Sequence, residues 1–216
     1  MSDTKLRIDV EDELLWEPRV DSGAIAVAAD GGTVTLRGTV STLREKLEAI
    51  NAAKRVHGVT KVVDDLDVDV LQGNRRPDTD LRADVLQALM LNALVPSSVD
   101  ASVDDGVVKL TGTAPCQYER SEAELVAGNV PGVVRVDDEI ELDGPAPKAE
   151  DVRHSIKEAF KRNAKLDAES LSVSSSNGIV TVSGVVGSWS EHDAAVEAAW
   201  AAPGVRSVED EIVVDY

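Results

Sequence analysis

Apolar and polar residues alternate along the chain in three similar series, and each series shows the same order of patterns. Two short alternating runs come first, separated by Asp30-Gly31-Gly32, Asp105-Gly106 or Asn177-Gly178. Because tight hairpin turns need positive φ, an Asx-Gly turn between alternating runs predicts a β-hairpin. The alternating residues are Ile25/Val27/Ala29 with Val34/Leu36, Val99/Ala101/Val103 with Val108/Leu110, and Leu171/Val173 with Val180/Val182.

A helix is predicted after each hairpin, and its beginning and end are marked. Thr42-x-x-Glu45 and Ser188-x-x-Glu191 are capping boxes, whose side chains satisfy the free amides of a first turn. The second series has Cys116-x-x-Glu119 instead, so a weaker cap is expected there. A stripe of alanines then predicts close packing on a sheet, and a glycine ends each helix. The alanines are Ala49/Ala53, Ala123/Ala127 and Ala195/Ala199, and the glycines are Gly58, Gly132 and Gly204.

A further strand is predicted after each of these helices, and a further amphipathic helix before each hairpin. The strands cover residues 62–70, 134–142 and 205–214. Apolar residues at helical spacing predict the preceding helices. They are Leu81, Val85, Ala88 and Leu89 in the second series and Val152, Ile156, Ala159 and Phe160 in the third. In the first series Ile8, Val10, Leu14 and Leu15 fit a helix that Pro18 ends early.

The three series are copies of one module, because single residues recur at nearly constant spacing. The strand-ending glycines Gly38, Gly112 and Gly184 are followed at equal distances by the helix-ending glycines, by a valine and by Asp64, Asp138 and Asp210. We therefore expect an α+β chain of three tandem αββαβ modules, at residues 1–72, 77–143 and 148–216. Each should be a small three-stranded mixed sheet covered on one face by two helices, with special backbone geometry at the recurring glycines.

These modules resemble the BON domain. The features that carry the resemblance are an amphipathic helix, segments such as Gly106-Val-Val-Lys-Leu-Thr-Gly112, an alanine-rich helix, and Pro-Gly-Val followed by a strand. The resemblance implies non-catalytic modules, often in tandem, that are proposed to bind phospholipid membranes or to mediate interactions in envelope and osmotic-stress proteins. Cytoplasmic relatives coupled to potassium sensing are a second precedent. This chain departs from the commoner members in its acidity and in having no signal peptide.

Charge and composition narrow the classes of partner. Aromatic residues make up only 3% of the chain, so the cores must be built from Val, Leu, Ile and Ala. The net charge of −18, with no basic cluster, disfavours nucleic acid and anionic lipid as ligands. The sequence shows no signal peptide and no apolar run long enough to span a membrane, and we expect a cytoplasmic protein. The single cysteine excludes an intrachain disulfide framework.

Candidate chemical groups are few. His57, His154 and His192 do not recur between copies and form no ligand-spaced pair, so a solvated or capping role is expected for each. Cys116 is interpreted as a thiol at a helix cap, with a reactive thiol as the alternative. No cofactor site is predicted, and the recurring glycines match no phosphate-binding loop.

Acidic residues alternate with apolar ones along the last strand of each copy. They are interpreted as solvated faces that discourage edge pairing, with a diffuse cation site as the alternative, since carboxylates bind hard ions. The candidate residues are Asp65, Asp67, Asp69, Glu139, Glu141, Asp143, Glu211 and Asp215.

The leading hypothesis is a non-enzymatic binding or scaffolding protein of BON type, linked to osmotic or envelope stress, that docks on partner proteins or lipid surfaces. Trp189, near a helix start, is a candidate for interface contact. The alternative is a cytoplasmic cation-responsive protein, similar to potassium sensors, that uses the acidic strand faces. An enzyme is the least favoured class, and the oligomeric state stays open.

Overall fold

The computed structural model describes residues 2–69, 76–144, 149–163, 166 and 169–215. The chain divides into two compact units. The first consists of Met1–Ala93, Asp100–Thr111 and Ala123–Glu139, and the second of Leu94–Val99, Gly112–Glu122 and Ile140–Tyr216. Val70 and Gln72, at the predicted ends of a strand and of the first module, lie outside the described residues, as does Lys148, where the third module was predicted to begin.

The same order of elements occurs three times. Module 1 contains α1 (Asp3–Trp16), a short 3-10 turn (Ser22–Ala24), β1 (Ile25–Asp30), β2 (Thr33–Val40), α2 (Leu43–Arg55) and β3 (Lys61–Val68). Module 2 contains α3 (Asp78–Leu91), β4 (Asp100–Asp104), β5 (Val107–Ala114), α4 (Gln117–Gly128) and β6 (Arg135–Leu142). Module 3 contains α5 (Ala149–Arg162), β7 (Leu171–Ser176), β8 (Ile179–Val186), α6 (Trp189–Trp200) and β9 (Ser207–Val214).

Each module has one three-stranded sheet in which the strands follow their order in the chain. In module 1, β1 pairs antiparallel with β2, and β2 pairs parallel with β3. In module 3, β7 and β8 are antiparallel, and β8 and β9 are parallel. The predicted fold class, α+β with three αββαβ modules and mixed sheets, is therefore confirmed.

The core of module 1 lies between its two helices and one face of its sheet. α1 buries Leu6, Val10 and Leu14, which follow one another at a spacing of one helical turn. The predicted helix forms, and of the residues from which it was predicted, Val10 and Leu14 are buried whereas Ile8 and Leu15 are exposed. The remaining buried apolar residues of this core are Ile25, Val34, Leu36, Val40, Ala49, Ala52, Ala53, Val56, Val59 and Leu66.

The core of module 3 repeats this arrangement with different side chains. α5 buries Val152, Ile156 and Phe160, and the alanine pair Ala195/Ala199 of α6 is fully buried. Ala49/Ala53 in α2 and Ala123/Ala127 in α4 are also fully buried, so the predicted alanine stripe of the second helix is confirmed in every module. An alanine at the contact keeps the helix axis close to the strands.

The predicted capping boxes form at α2 and α6. Thr42 Oγ1 accepts a hydrogen bond from the amide of Glu45 at 3.1 Å, and Ser188 Oγ accepts from the amide of Glu191 at 3.2 Å. The carboxylate of Glu45 in turn accepts from the amides of Ser41 and Asp21, at 2.8 and 2.9 Å. These contacts satisfy amides that have no partner inside the helix and attach its first turn to the chain before β1.

In modules 1 and 2 the first helix is attached to the tip of the hairpin by an aspartate in its first turn. Asp3 Oδ1 accepts from the amide of Gly31 at 3.0 Å. In module 2 the two oxygens of Asp78 accept from the amides of Asp105 and Gly106, at 2.9 and 3.1 Å. One carboxylate thus serves both the turn and the helix dipole, whose amino end favours negative charge.

The recurring strand glycines have a common physical reason. Gly184 has φ +143° and Gly112 has φ +120°, values that residues with a side chain rarely adopt. A Cβ atom at Gly184 would lie 3.2 Å from Leu171 Cα and closer still to the carbonyl oxygen of Ser170. The hairpin strands therefore approach each other at a point where only glycine fits.

A cluster of ion pairs lies at the end of α1 in module 1. Glu17 is buried and lies between Arg19 Nε, at 2.7 Å, and Arg55, at 3.1 Å. The hydrogen bond from Arg19 lowers the pKa of Glu17 from 4.5 to about 2, with Arg55 contributing and burial opposing. Glu17 is therefore ionised at neutral pH, and its contacts with Arg19 and Arg55 connect the loop after α1 with the end of α2.

Candidate functional site

The acidic face of module 1 lies on the outer side of β3. Asp65 and Asp67 are both exposed, opposite Arg37 and Thr39 of β2. Arg37 forms an ion pair with Asp65 at 2.5 Å, so the positive charge of the neighbouring strand offsets part of the acidic face. Asp69 follows the strand and donates its amide to the carbonyl of Val40 at 3.0 Å.

The acidic residues of the other two modules are also exposed. Glu139 pairs with Lys109 at 2.7 Å, Glu141 and Glu211 lie on the outer faces of their strands, and Asp143 and Asp215 follow the strand ends. Among the residues that the structure describes, no three His, Cys, Asp or Glu side chains lie where they could share a metal ion. The faces thus have the geometry of solvated strand surfaces.

A more specific polar contact joins the second helix of a module to its last strand. In module 1, Lys46 Nζ lies 2.9 Å from Asp64 Oδ2 and donates to the carbonyl of Leu66 at 2.6 Å. The other carboxylate oxygen of Asp64 accepts from the amide of Leu66 at 3.1 Å. This hydrogen bond within β3 orients the carboxylate of Asp64 towards α2.

Module 3 contains the same contact with a histidine in place of the lysine. His192 Nε2 lies 2.8 Å from Asp210 Oδ2, and Asp210 Oδ1 accepts from the amide of Ile212 at 3.0 Å. Lys46, Arg120 and His192 each stand four residues after the cap position of their helix, and Asp64, Asp138 and Asp210 also correspond in sequence. The recurring aspartates are visible in the sequence; the basic partner was not predicted, although its spacing from the cap is constant.

His192 is buried, and the expectation that it is solvated or capping is wrong. Its Nδ1 atom lies 3.0 Å from Asp193 Oδ1, and its ring meets the ring of Trp189 edge to face, with centroids 4.6 Å apart. The hydrogen bond to Asp193 and the charge of Asp210 raise the pKa of His192 above its ordinary value, while burial opposes them. His57 and His154 are exposed, as is Cys116 at the cap position of α4.

Trp189, the predicted interface residue, is partly buried and packs against the core of module 3. Its position beside His192 makes it part of the module itself, so only part of the ring faces outward. Trp200 packs against the same core. The strongly exposed tryptophan is Trp16, at the end of α1.

Two pairs of exposed apolar residues occupy equivalent places in modules 1 and 2. Leu15 and Trp16 follow the last buried residue of α1 and are 71% and 82% exposed. Met90 and Leu91 follow the last buried residue of α3 and are 84% and 78% exposed. We call these four residues the helix-end pairs. In module 3 the corresponding residues, after Phe160, are Lys161 and Arg162.

The helix-end pairs were within reach of sequence reasoning. In each helix the pair lies outside the stripe of residues that recur at one-turn spacing, and an apolar residue outside that stripe faces solvent. Exposed single apolar residues are common on protein surfaces and need no explanation. Two adjacent ones, repeated at the same place in two modules and replaced by charge in the third, make this a candidate contact surface.

Comparison with known proteins agrees with the internal repeats. The family model described as BON domain matches residues 2–70, 77–144 and 148–216. Osmotically-inducible protein Y of Escherichia coli (strain K12) is 34% identical over 145 residues, which cover 65% of this chain and 72% of that protein. No helix within the described part of the chain is long and apolar enough to cross a bilayer.

Two solved structures of CdsD, a structural protein of the type III secretion system of Chlamydia trachomatis, are also similar. One is 15% identical and covers 98% of this chain and 92% of its own, and the other, of the C-terminal domain, is 14% identical with full coverage of both chains. Both superpose with a TM-score of 0.27.

Proposed function

The chain belongs to the BON domain family, and on that premise we propose that it is a non-enzymatic binding protein of the osmotic-stress response. Support for the link to osmotic stress comes from its similarity to Osmotically-inducible protein Y. We propose further that it docks on a partner protein through the helix-end pairs of modules 1 and 2, and that module 3 does not take part in this contact.

The observation that carries the proposal is the exposure of Leu15, Trp16, Met90 and Leu91. Complete burial of a large apolar side chain stabilises a complex by about 1.5–3 kcal/mol. Two such residues at one helix end are enough for a small anchoring contact, and tryptophan is enriched among the residues that dominate binding energy. Two equivalent contacts on one chain would also increase the avidity for a partner that presents two sites.

The charge around the first pair favours a protein partner over a membrane. Asp12 is exposed and lies one turn before Leu15 and Trp16 on the helix surface. The net charge of −18 repels anionic lipid surfaces. A partner with an apolar patch bordered by lysine or arginine complements the pair and its acidic border.

The test places a photoreactive amino acid at one position of the full chain at a time, in cells that produce the protein and are shifted to high salt. Positions 16 and 91 should cross-link to the same partner protein. Position 162, the equivalent place in module 3, should not, and serves as the matched control. Cross-linking from position 16 should be lost when Leu15 is replaced by serine. Equal cross-linking from all three positions contradicts the proposal.

A vesicle experiment separates the lipid alternative. The wild-type chain should not sediment with phosphatidylglycerol or phosphatidylcholine vesicles at physiological salt. Sedimentation that is abolished by Leu15→Ser/Trp16→Ser, but not by Lys161→Ser/Arg162→Ser, would show that the helix-end pairs bind lipid. In that case the helix-end pairs would be a binding surface, as proposed, but their ligand would be lipid and not a protein.

A further inference from the structure

We infer that His192 is a proton-binding site that makes the folding stability of module 3 depend on pH. The inference rests on the contact between the second helix and the last strand, and it is independent of the helix-end pairs.

The geometry around the ring favours the imidazolium form. Nδ1 lies 3.0 Å from a carboxylate oxygen of Asp193, and Nε2 lies 2.8 Å from one of Asp210. Ionised carboxylates only accept hydrogen bonds, and a neutral imidazole has one donor and one acceptor nitrogen. In the neutral form one ring nitrogen would therefore direct its lone pair at a carboxylate. Only the protonated ring donates to both neighbours.

Both charged groups beside the ring favour its protonated form. Among the described residues, the charged groups that face the ring are Asp193, on α6 itself, and Asp210, on the adjacent strand β9. Both are acidic, and the third close neighbour is the neutral ring of Trp189. The side chain of His192 is only 11% exposed, whereas those of Asp193 and Asp210 are 48% and 37% exposed. Salt therefore screens part of the attraction, and the effect should decrease at high ionic strength.

The two carboxylates do not form a metal site with the ring, because they contact opposite ring nitrogens and cannot converge on one ion. The ligand that fits this arrangement is a proton. In module 1 the same place opposite Asp64 is occupied by Lys46, an amine instead of an imidazole.

The direction of the pH effect follows from linkage. Folding raises the pKa of His192 above 6.5, so the folded module binds this proton more tightly than the unfolded chain. The stabilisation is complete below about pH 6.5 and is lost as pH rises through the pKa of the folded state. The folding equilibrium constant decreases by up to about tenfold for each unit by which the folded-state pKa exceeds the unfolded one. Module 3 thus loosens between α6 and β9 when the pH rises.

The chain offers a selective reporter for this module. Its three tryptophans are Trp16, Trp189 and Trp200, and only Trp16 lies outside module 3. In the full chain with Trp16→Phe, the fluorescence transition in urea reports on module 3. We expect the urea midpoint of this chain to fall between pH 6 and pH 9. The His154→Lys control, which changes an exposed histidine, should show the same decrease.

Two variants at the site decide the inference. His192→Lys introduces the amine found in module 1, and its midpoint should be independent of pH and higher than that of the parent at pH 9. His192→Gln should also be independent of pH and less stable at pH 6. A decrease with pH in either variant equal to that of the parent, or a pH-independent parent, overturns the inference.

A second measurement uses the wild-type chain and does not depend on the folding of any variant. The ring-proton NMR signal of His192 in the wild-type chain should titrate at higher pH than N-acetyl-histidine amide added to the same sample, and its shift should follow the unfolding midpoint. Titration at or below the pH of the reference compound overturns the inference even if every variant at position 192 fails to fold.

Discussion

Replacing Gly184 by alanine should strongly destabilise module 3, because the new Cβ has no room. The backbone at Gly184 has φ +143°, and holding a residue with a side chain in such a region costs about 1–3 kcal/mol. The Cβ would also lie 3.2 Å from both Leu171 Cα and Leu171 Cδ2, and within van der Waals overlap of the Ser170 carbonyl oxygen. Because the nearest obstacle is backbone, β7 must move away from β8, and overpacking of this kind costs about 1–3 kcal/mol.

The two costs together, about 2–6 kcal/mol, are a large part of the stability of a small module. At about 0.05–0.15 kcal/mol per residue, a module of this size is stable by only about 3–10 kcal/mol. With a urea dependence of about 1 kcal/mol per molar, the midpoint should fall by about 2 M or more. The assay is urea unfolding of the full Trp16→Phe chain, followed by the fluorescence of Trp189 and Trp200.

The matched control is Ser174→Ala, which introduces the same residue at an exposed position of the same sheet. An exposed substitution of this kind should change stability by no more than about 0.5 kcal/mol. If Gly184→Ala shifts the midpoint as little as Ser174→Ala does, the glycine is not required by the geometry of the hairpin. The recurrence of Gly38, Gly112 and Gly184 would then need another explanation.

Two further predictions concern charge. Glu17→Gln should lower the melting temperature at pH 7, measured by calorimetry, because it leaves Arg19 and Arg55 without their shared carboxylate. The pKa of Glu17 falls from 4.5 to about 2 on folding, so the difference in melting temperature from wild type should be complete above pH 4.5 and shrink towards pH 2. A difference that is constant down to pH 2 would contradict this. Melting curves in potassium and sodium chloride of equal ionic strength should coincide, both for the wild type and for Asp65→Asn/Asp67→Asn, because the described carboxylates form no shared ion site; a potassium-specific rise that the variant abolishes would favour cation sensing.

The order of elements was predictable because the signals for it are local. The hairpin turns illustrate this, since Asp105 and Asn177 have φ of 47° and 52°, in the left-handed region that Asx residues tolerate. Capping boxes and alanine stripes are similarly short in sequence. Each predicts its element without knowledge of the rest of the module, and three copies of the pattern strengthened every assignment.

The features that were missed depend on contacts between distant residues. The environment of His192 depends on Asp210, which lies on a different element. A histidine near a helix start resembles a solvated residue until the strand that packs against it is known.

The parallel pairing of the last strand with the middle one has a consequence for synthesis on the ribosome. Every buried apolar residue of the core of module 1 lies between Leu6 and Leu66, and β3 ends at Val68. Once that segment has left the exit tunnel, the module can close without any residue of module 2. Until then β2 has one unpaired edge, while residues 41–68 are being added. A nascent chain with three such modules therefore exposes one incomplete sheet at a time, which limits pairing between the wrong strands of nearly identical repeats.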